Sequence, residues 1–370
     1  MRNLPLVTLL LLTPIAARAE WRLDRFMIST WGAPTDEESA KAFADAGFNT
    51  VMSKVEHLGL LRPYGIRAIV MDGSPELAAK MKDDPIVWGW YARDEPPQDA
   101  FAATGEIVAK YHAADPNHPA YVNLMAWMNL DEYYELVKPW FLSYDYYQWW
   151  WNPVHYCGRL EVHRTAALKH NQDLICWVES NADPRWEWGK EGATYLPDNE
   201  PKLRQSVYLA LAYGVRGIQW FTSGLAFEGG EPSQRTLNAA GRDIKVLNHE
   251  MAALGPTLLR LRSVDVVHTA PVPVMCRPVP GDLWVQARNR NLTLGLFEGP
   301  GKTRHVFVVN RAIDRTQPVN LAFPGGLRAL ERFEVTSRRW RRVELHDGGR
   351  GVAATRFTLA PGDGALLRAR

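Results

Sequence analysis

The sequence predicts an α/β protein: a (β/α)8 TIM barrel followed by a small antiparallel β-sandwich. Three observations carry this. Eight short runs rich in branched and aromatic residues alternate with helical patterns over roughly 235 residues, the number and size of one barrel rather than of an open doubly wound sheet. Beyond about residue 263 the helical periodicity stops, and short alternating runs broken by Pro and Gly take over. Two of the apolar runs, residues 86–97 (IVWGWYARDEPP) and 173–180 (DLICWVES), stop at acidic side chains. That suits buried parallel strands carrying carboxylates at their C-terminal mouths, where barrels keep their chemistry.

Each element has its own warrant. Residues 25–32 (RFMISTWG) form a first strand, and 35–47 a helix with a Thr-x-x-Glu capping box and a terminal Gly47. Residues 49–54 (NTVMSK) are the second strand, with a short helix through 61, and 66–72 (IRAIVMD) the third, with a helix over 75–83. The fourth strand ends at Glu95; the helix over 99–114 behind it stops at Asp115-Pro116. Residues 120–125 make the fifth strand, with a helix over 130–137, and 141–148 (FLSYDYYQ) the sixth, with a helix over 160–170. The seventh ends at Glu179 and is followed by a helix over 201–213. Residues 216–223 (RGIQWFTS) are the eighth, and 237–261 form a long closing helix. Sandwich strands are expected at 283–288, 292–297, 305–310, 332–336, 341–345 and 357–359, which sets the domains at 20–262 and 263–370. The closing helix should dock the sandwich on the barrel. The run 337–342 (SRRWRR) reads as a solvated hairpin face.

Residues 1–19 have the form of a secretory signal: Arg2, an apolar core over 4–15, and Ala17-Arg18-Ala19 as the cleavage site. An exported protein, secreted or periplasmic, without a membrane anchor is therefore expected. Without Arg2 and Arg18, 41 basic residues face 41 acidic ones, so neither nucleic acid nor an anionic membrane is expected as a partner. Cys157, Cys176 and Cys276 make no zinc pattern; a Cys157–Cys176 bridge and unpaired thiols are both open. The ten His are scattered without H-E-x-x-H, so no metal is expected. No G-x-G-x-x-G follows the first strand, and no cofactor is expected. Ser180 lies in no G-x-S-x-G elbow.

Two carboxylates at the mouth of a barrel are the minimum apparatus for glycoside hydrolysis, one protonating the leaving oxygen while the other attacks the anomeric carbon or activates water. The plainer account of Asp94-Glu95 is a loop cap or a pair with Arg93. Of the 15 Trp and 13 Tyr, most serve core packing, but aromatic residues at strand ends suit stacking on sugar rings. The loop 146–156 (YYQWWWNPVHY), above all Trp149, Trp150 and Trp151, is read as such a rim, with Trp186 and Trp188 extending it.

Glu95 after strand four and Glu179 after strand seven resemble the clan of retaining TIM-barrel β-glycosidases, whose acid/base and nucleophile stand at those places. GFNTV (47–51), Tyr144 and Tyr146 on strand six, and Trp220 ending strand eight are similar, and FTLAPGDGALLR (357–368) looks like the last hairpin of appended sandwiches. The resemblance implies a retaining glycoside hydrolase acting on a β-linked oligo- or polysaccharide, with Glu95 as acid/base and Glu179 as nucleophile. The substrate-binding set expected at the mouth is Asp94, Lys54, Trp31, Tyr144, Tyr146, Trp150 and Trp220. Two positions depart from the clan. Asp94 stands where Asn is usual, and Ser53-Lys54 where an Arg is common; Lys54 is expected to serve as the cation near Glu179. Two other classes fit the same residues: a glycan-binding barrel without catalysis, and a polysaccharide lyase using Tyr144 or Tyr146 as base with Lys54 neutralising charge.

Overall fold

A computed structural model describes residues 21–187, 193–230, 234–325, 327–349 and 351–370. The expected signal segment and Trp188 lie outside the described residues. Among the described residues no helix is long and apolar enough to cross a membrane.

Eight parallel strands form the first layer: β1 (Met27–Thr30), β2 (Thr50–Ser53), β3 (Arg67–Val70), β4 (Val87–Asp94), β5 (Ala120–Met125), β6 (Leu142–Asp145), β7 (Leu174–Glu179) and β8 (Gly217–Phe221). Neighbours run β1-β8-β7-β6-β5-β4-β3-β2, as in a barrel. The remaining seam, between β1 and β2, is joined by Asn49. Its backbone N–H donates to Ile28 O at 2.9 Å, its Oδ1 accepts from Ile28 N–H at 3.0 Å, and its Nδ2 donates to Phe26 O at 2.9 Å. One amide side chain thus takes the place of a ladder residue.

The helices α1 (Glu37–Asp45), α2 (Leu58–Leu61), α3 (Pro75–Met81), α4 (Phe101–Ala114), α5 (Leu130–Leu136), α6 (Tyr156–Lys169), α7 (Asn199–Ala212) and α8 (Ala239–Leu258) alternate with the strands. α1 starts one residue later than the Thr-x-x-Glu box predicts. Asp36 is its N-cap, accepting from Ser39 N–H at 2.8 Å while Ser39 Oγ accepts from Asp36 N–H at 3.1 Å. A carboxylate among the free amides of a first turn is favoured by their partial positive charge.

Strand parity divides the core. Met27, Met52, Ile69, Trp88, Tyr121 and Trp177 point inward and pack with one another. Ile28, Val51, Val122, Val178, Ile218 and Trp220 point outward and pack on the helices.

After α8 the chain becomes two antiparallel sheets. β9 (Arg262–His268), β11 (Leu292–Gly299), β12 (Thr303–Asn310), β14 (Leu330–Glu334), β15 (Arg339–Val343) and β18 (Gly364–Ala369) make one; β10 (Gln286–Ala287), β13 (Gln317–Phe323), β16 (His346–Asp347) and β17 (Ala353–Leu359) make the other. Val267, Leu294, Val306, Val319, Leu321 and Leu367 fill the space between them. The sandwich sits on α7 rather than chiefly on the closing helix. Tyr208 meets Phe307 edge-on at 5.8 Å, and a Cβ at Gly295 would lie 2.0 Å from Ala212 O, so that contact requires glycine. All three cysteines are free. Cys157 on α6 faces Cys276 of the sandwich rather than Cys176, so the Cys157–Cys176 pairing does not form.

Candidate active site

The C-terminal mouth of the barrel opens into a cleft of about 610 Å³, the size of sites that take small ligands. Asp94, Glu95 and Asp145 reach it from β4 and β6, with Trp31, Asn123, Tyr147, Trp177 and Phe221 around them. Trp150, Trp151, Trp186 and Glu187 form the rim.

Asp94 and Glu95 are consecutive, and on a regular strand they would face opposite sides. Two irregularities bring both into the cleft: the β4–β5 register shifts between Tyr91 and Arg93, and Glu95 has φ of 42°. A non-glycine residue in that region costs of order 1 kcal/mol. Its N–H donates to Asn123 O at 3.0 Å, which holds the bend in place.

A hydrogen-bond network within the barrel orients the cleft wall. Trp177 Nε1 donates to Tyr121 OH at 2.8 Å, and Tyr121 OH donates to Gln219 Oε1 at 2.8 Å. Ser143 Oγ donates to Asn123 Oδ1 at 2.9 Å. With its oxygen occupied, Asn123 turns its amide toward Asp94. Asp94 is nevertheless pushed up to about 6, by burial first and by the charge of Glu95 second, against the lowering effect of Asn123.

Asp145 is 1 % exposed and stands against Glu95. Burial, the carboxyl–carboxyl hydrogen bond with Glu95 and the nearby negative charges hold it well above the usual carboxylate range. One of the Asp145 oxygens, Oδ1, has no protein partner. Two facing carboxyls, one of them raised, suit acid/base chemistry, in which a carboxyl gives a proton to an oxygen and takes one back.

The expected residues divide by this geometry. Asp94, Glu95, Trp31, Trp150, Trp151 and Trp186 line the cleft. Trp31 contacts Trp177 at 5.9 Å and Phe221 at 6.2 Å, and Trp150 lies 4.3 Å from Trp186. Trp220 does not line it: it is fully buried and outward-facing, donating from Nε1 to Asn248 Oδ1 at 2.8 Å. Strand parity puts the next residue, Phe221, at the mouth instead. Tyr144 is likewise outward and buried, stacked on His163 at 3.7 Å, and Tyr146 donates its hydroxyl to Asn152 O at 2.8 Å. Neither tyrosine is placed to act as a lyase base. Trp149 turns away to donate to Lys202 O at 3.0 Å.

Glu179 ends β7 as expected, but its carboxyl lies outside the cleft wall. It is fully buried; Oε1 accepts from Ser206 Oγ of α7 at 3.0 Å, and Oε2 has no partner. Burial pushes it up to about 7, against lowering by Ser206 and by backbone N–H groups including those of Trp149 and Gln148. Lys54 is exposed after β2, and none of the groups acting on Glu179 is a cation. The expected Lys54–Glu179 pairing does not form.

Asp145, Asn123, Trp177 and Phe221 are cleft residues absent from the expected set, while Tyr147 belongs to the expected rim loop 146–156. The expected strand six runs on to Gln148, whereas β6 stops at Asp145, so the acid at its end is visible only once the strand end is known. Asn123, Trp177 and Phe221 required parity counted from a known strand start.

No family model and no curated protein matches the chain. Among solved structures, a glycoside hydrolase superposes with a TM-score of 0.56 at 12 % identity, covering 93 % of this chain and 92 % of its own. A glycoside hydrolase family 5 protein from Bacteroides vulgatus gives 0.54 at 12 % identity, covering 93 % and 89 %. Over more than nine tenths of its length, then, the chain has the fold of solved glycoside hydrolases.

Proposed function

We propose that the protein is an exported glycoside hydrolase acting on a β-linked glycan by double displacement, with Glu95 as general acid/base. The observation that carries this is the Glu95–Asp145 pair, two facing carboxyls among aromatic faces at the barrel mouth. Hydrolysis needs one carboxyl protonated and one ionised, and two facing carboxyls that oppose each other's ionisation favour that state. A sugar entering between them separates the pair. As the pair parts, the proton held by Asp145 passes to Glu95; Glu95 then protonates the leaving oxygen, ionised Asp145 attacks the anomeric carbon, and Glu95 afterwards draws the proton from the water that releases the sugar.

A second reading makes Glu179 the nucleophile, favoured by its place at the end of β7. It requires the carboxyl to leave Ser206 and enter the cleft. Azide separates the two. Added to Asp145→Ala it should yield a glycosyl azide of inverted configuration, while Glu179→Ala keeps turning over. The opposite pattern would return the role to Glu179, and turnover within about tenfold of wild type in both variants, only ~1.4 kcal/mol of barrier, would remove both carboxylates from the reaction.

A further inference from the structure

We propose that the cleft takes a glycan bearing a positive charge, an amino sugar with a free ammonium group, bound by Asp94 and Asp145 against the aromatic wall. This names the substrate class for the hydrolase reading above and rests on it. The described lining residues supply Asp94, Glu95, Asp145 and Glu187, and none of them is Lys, Arg or His. Buried carboxylates cost several kcal/mol each unless a counter-charge or full hydrogen bonding offsets them. The cleft offers half-buried Asp94 one side-chain amide, and offers buried Asp145 its own backbone N–H and another carboxyl, with no cation for either.

A second feature points to a missing donor. Asp145 is 1 % exposed, lines the cleft, and has Oδ1 unpartnered. An ammonium group brings three N–H donors and a charge, enough to satisfy Oδ1 and to pair with Asp94 at once. The remaining walls suit the same ion, because the faces of Trp31, Tyr147, Trp150 and Trp177 attract cations as well as sugar rings. A neutral sugar would stack and donate hydroxyls but would leave the charge standing. A uronate or sulfated sugar would be repelled.

The test uses four β-1,4-linked tetramers: glucosamine, N-acetylglucosamine, glucose and mannuronate. Affinity is measured by calorimetry on Glu95→Gln and cleavage by product mass on the wild type. The glucosamine tetramer should bind at least about tenfold more tightly than the others. That preference should shrink with added salt and disappear when Asp94→Asn is added. Equal or tighter binding of the neutral, acetylated or uronate tetramer, or no binding of any, overturns the inference. The two layers fail separately. Cleavage of glucose or acetylated tetramers without the preference keeps the hydrolase and removes the cationic substrate. Selective binding of the glucosamine tetramer with no cleavage does the reverse.

Discussion

The two ends of the barrel treat buried acid in opposite ways. At the N-terminal end Asp173, just before β7, has a side chain 1 % exposed and is surrounded by donors: Arg216 Nη1 at 2.9 Å, Arg22 Nη1 at 3.3 Å and Leu23 N–H at 2.8 Å. At the C-terminal end Asp94, Glu95 and Asp145 stand together with one side-chain amide and no cation among the described residues that line the cleft. The floor spends its charge on holding the N-terminal segment and the strand ends together. The mouth keeps its charge unsatisfied. Barrels commonly divide stability and chemistry this way, and here the division is visible in hydrogen bonding alone.

The strongest break of that comparison is at Glu95. Glu95→Gln removes the transferable proton and keeps the volume, so kcat/KM on glycosides with poor leaving groups should fall by about 10²–10⁴. On aryl glycosides whose leaving group needs no proton the loss should be far smaller. Melting temperature should hold or rise, because a crowded charge has gone. An equal loss on both substrate types would show that Glu95 positions substrate and transfers no proton.

The converse belongs to the floor. Asp173→Ala strips the partner from Arg216 and Arg22 and frees Leu23 N–H, which should cost about 3 kcal/mol, the lower end for a broken buried pair because both guanidiniums reach solvent. Denaturant unfolding measures this, while kcat/KM below the transition should stay within about twofold of wild type. Lost activity with intact stability would mean the floor is coupled to the mouth.

Glu179 sits between these cases, a buried acid with one hydroxyl partner and no cation acting on it. Its carboxyl is raised from 4.5 to about 7 in the folded protein. A raised carboxyl binds its proton more tightly when folded, so its stabilisation is complete below about pH 4.5 and is lost as pH rises through about 7. The difference is on the order of 3 kcal/mol at high pH. Glu179→Gln still accepts from Ser206 and carries no charge. It should therefore be more stable than wild type at pH 8 and no different at pH 4. Equal stability at both would mean that Glu179 finds a counter-charge when ionised.

Much of this division could be read from the chain, and the places where it could not share one cause. Eight strands, the switch to a sandwich and the Asp94-Glu95 position all follow from apolar runs and where they stop. The direction of a side chain at a strand end depends on a single residue of register, which runs of apolar residues leave open. Trp220 and Tyr144 fall one step out of phase with the cleft, and Phe221 and Asp145 fall in phase. Asp94 and Glu95 both face inward because of a register shift and a positive φ, neither of which leaves a mark in IVWGWYARDEPP. Glu179 is in phase by strand pairing, opposite Phe221, yet its side chain turns to Ser206 on a helix 27 residues on. The β1–β2 seam was equally hidden, since Asn49 read as the first residue of a strand and serves as its clasp.

The smallest effect separates the two tryptophans expected to bind substrate. Trp31 is half-buried at the cleft, its ring against Trp177, Phe221 and Tyr91. Trp31→Ala should raise KM severalfold, corresponding to about 1 kcal/mol of stacking, and leave the melting temperature nearly unchanged. Trp220 is packed between β8 and α8 and bonded to Asn248, whose own Nδ2 donates to Ala46 O at 2.9 Å. Trp220→Phe keeps most of the ring and deletes the indole N–H, leaving Asn248 Oδ1 buried without a donor. That costs about 1–3 kcal/mol of stability, visible in denaturant midpoint, with KM unchanged. If Trp220→Phe raised KM and spared stability while Trp31→Ala did the reverse, the inward and outward faces of the barrel would have to be exchanged, and the assignment of the cleft would go with them.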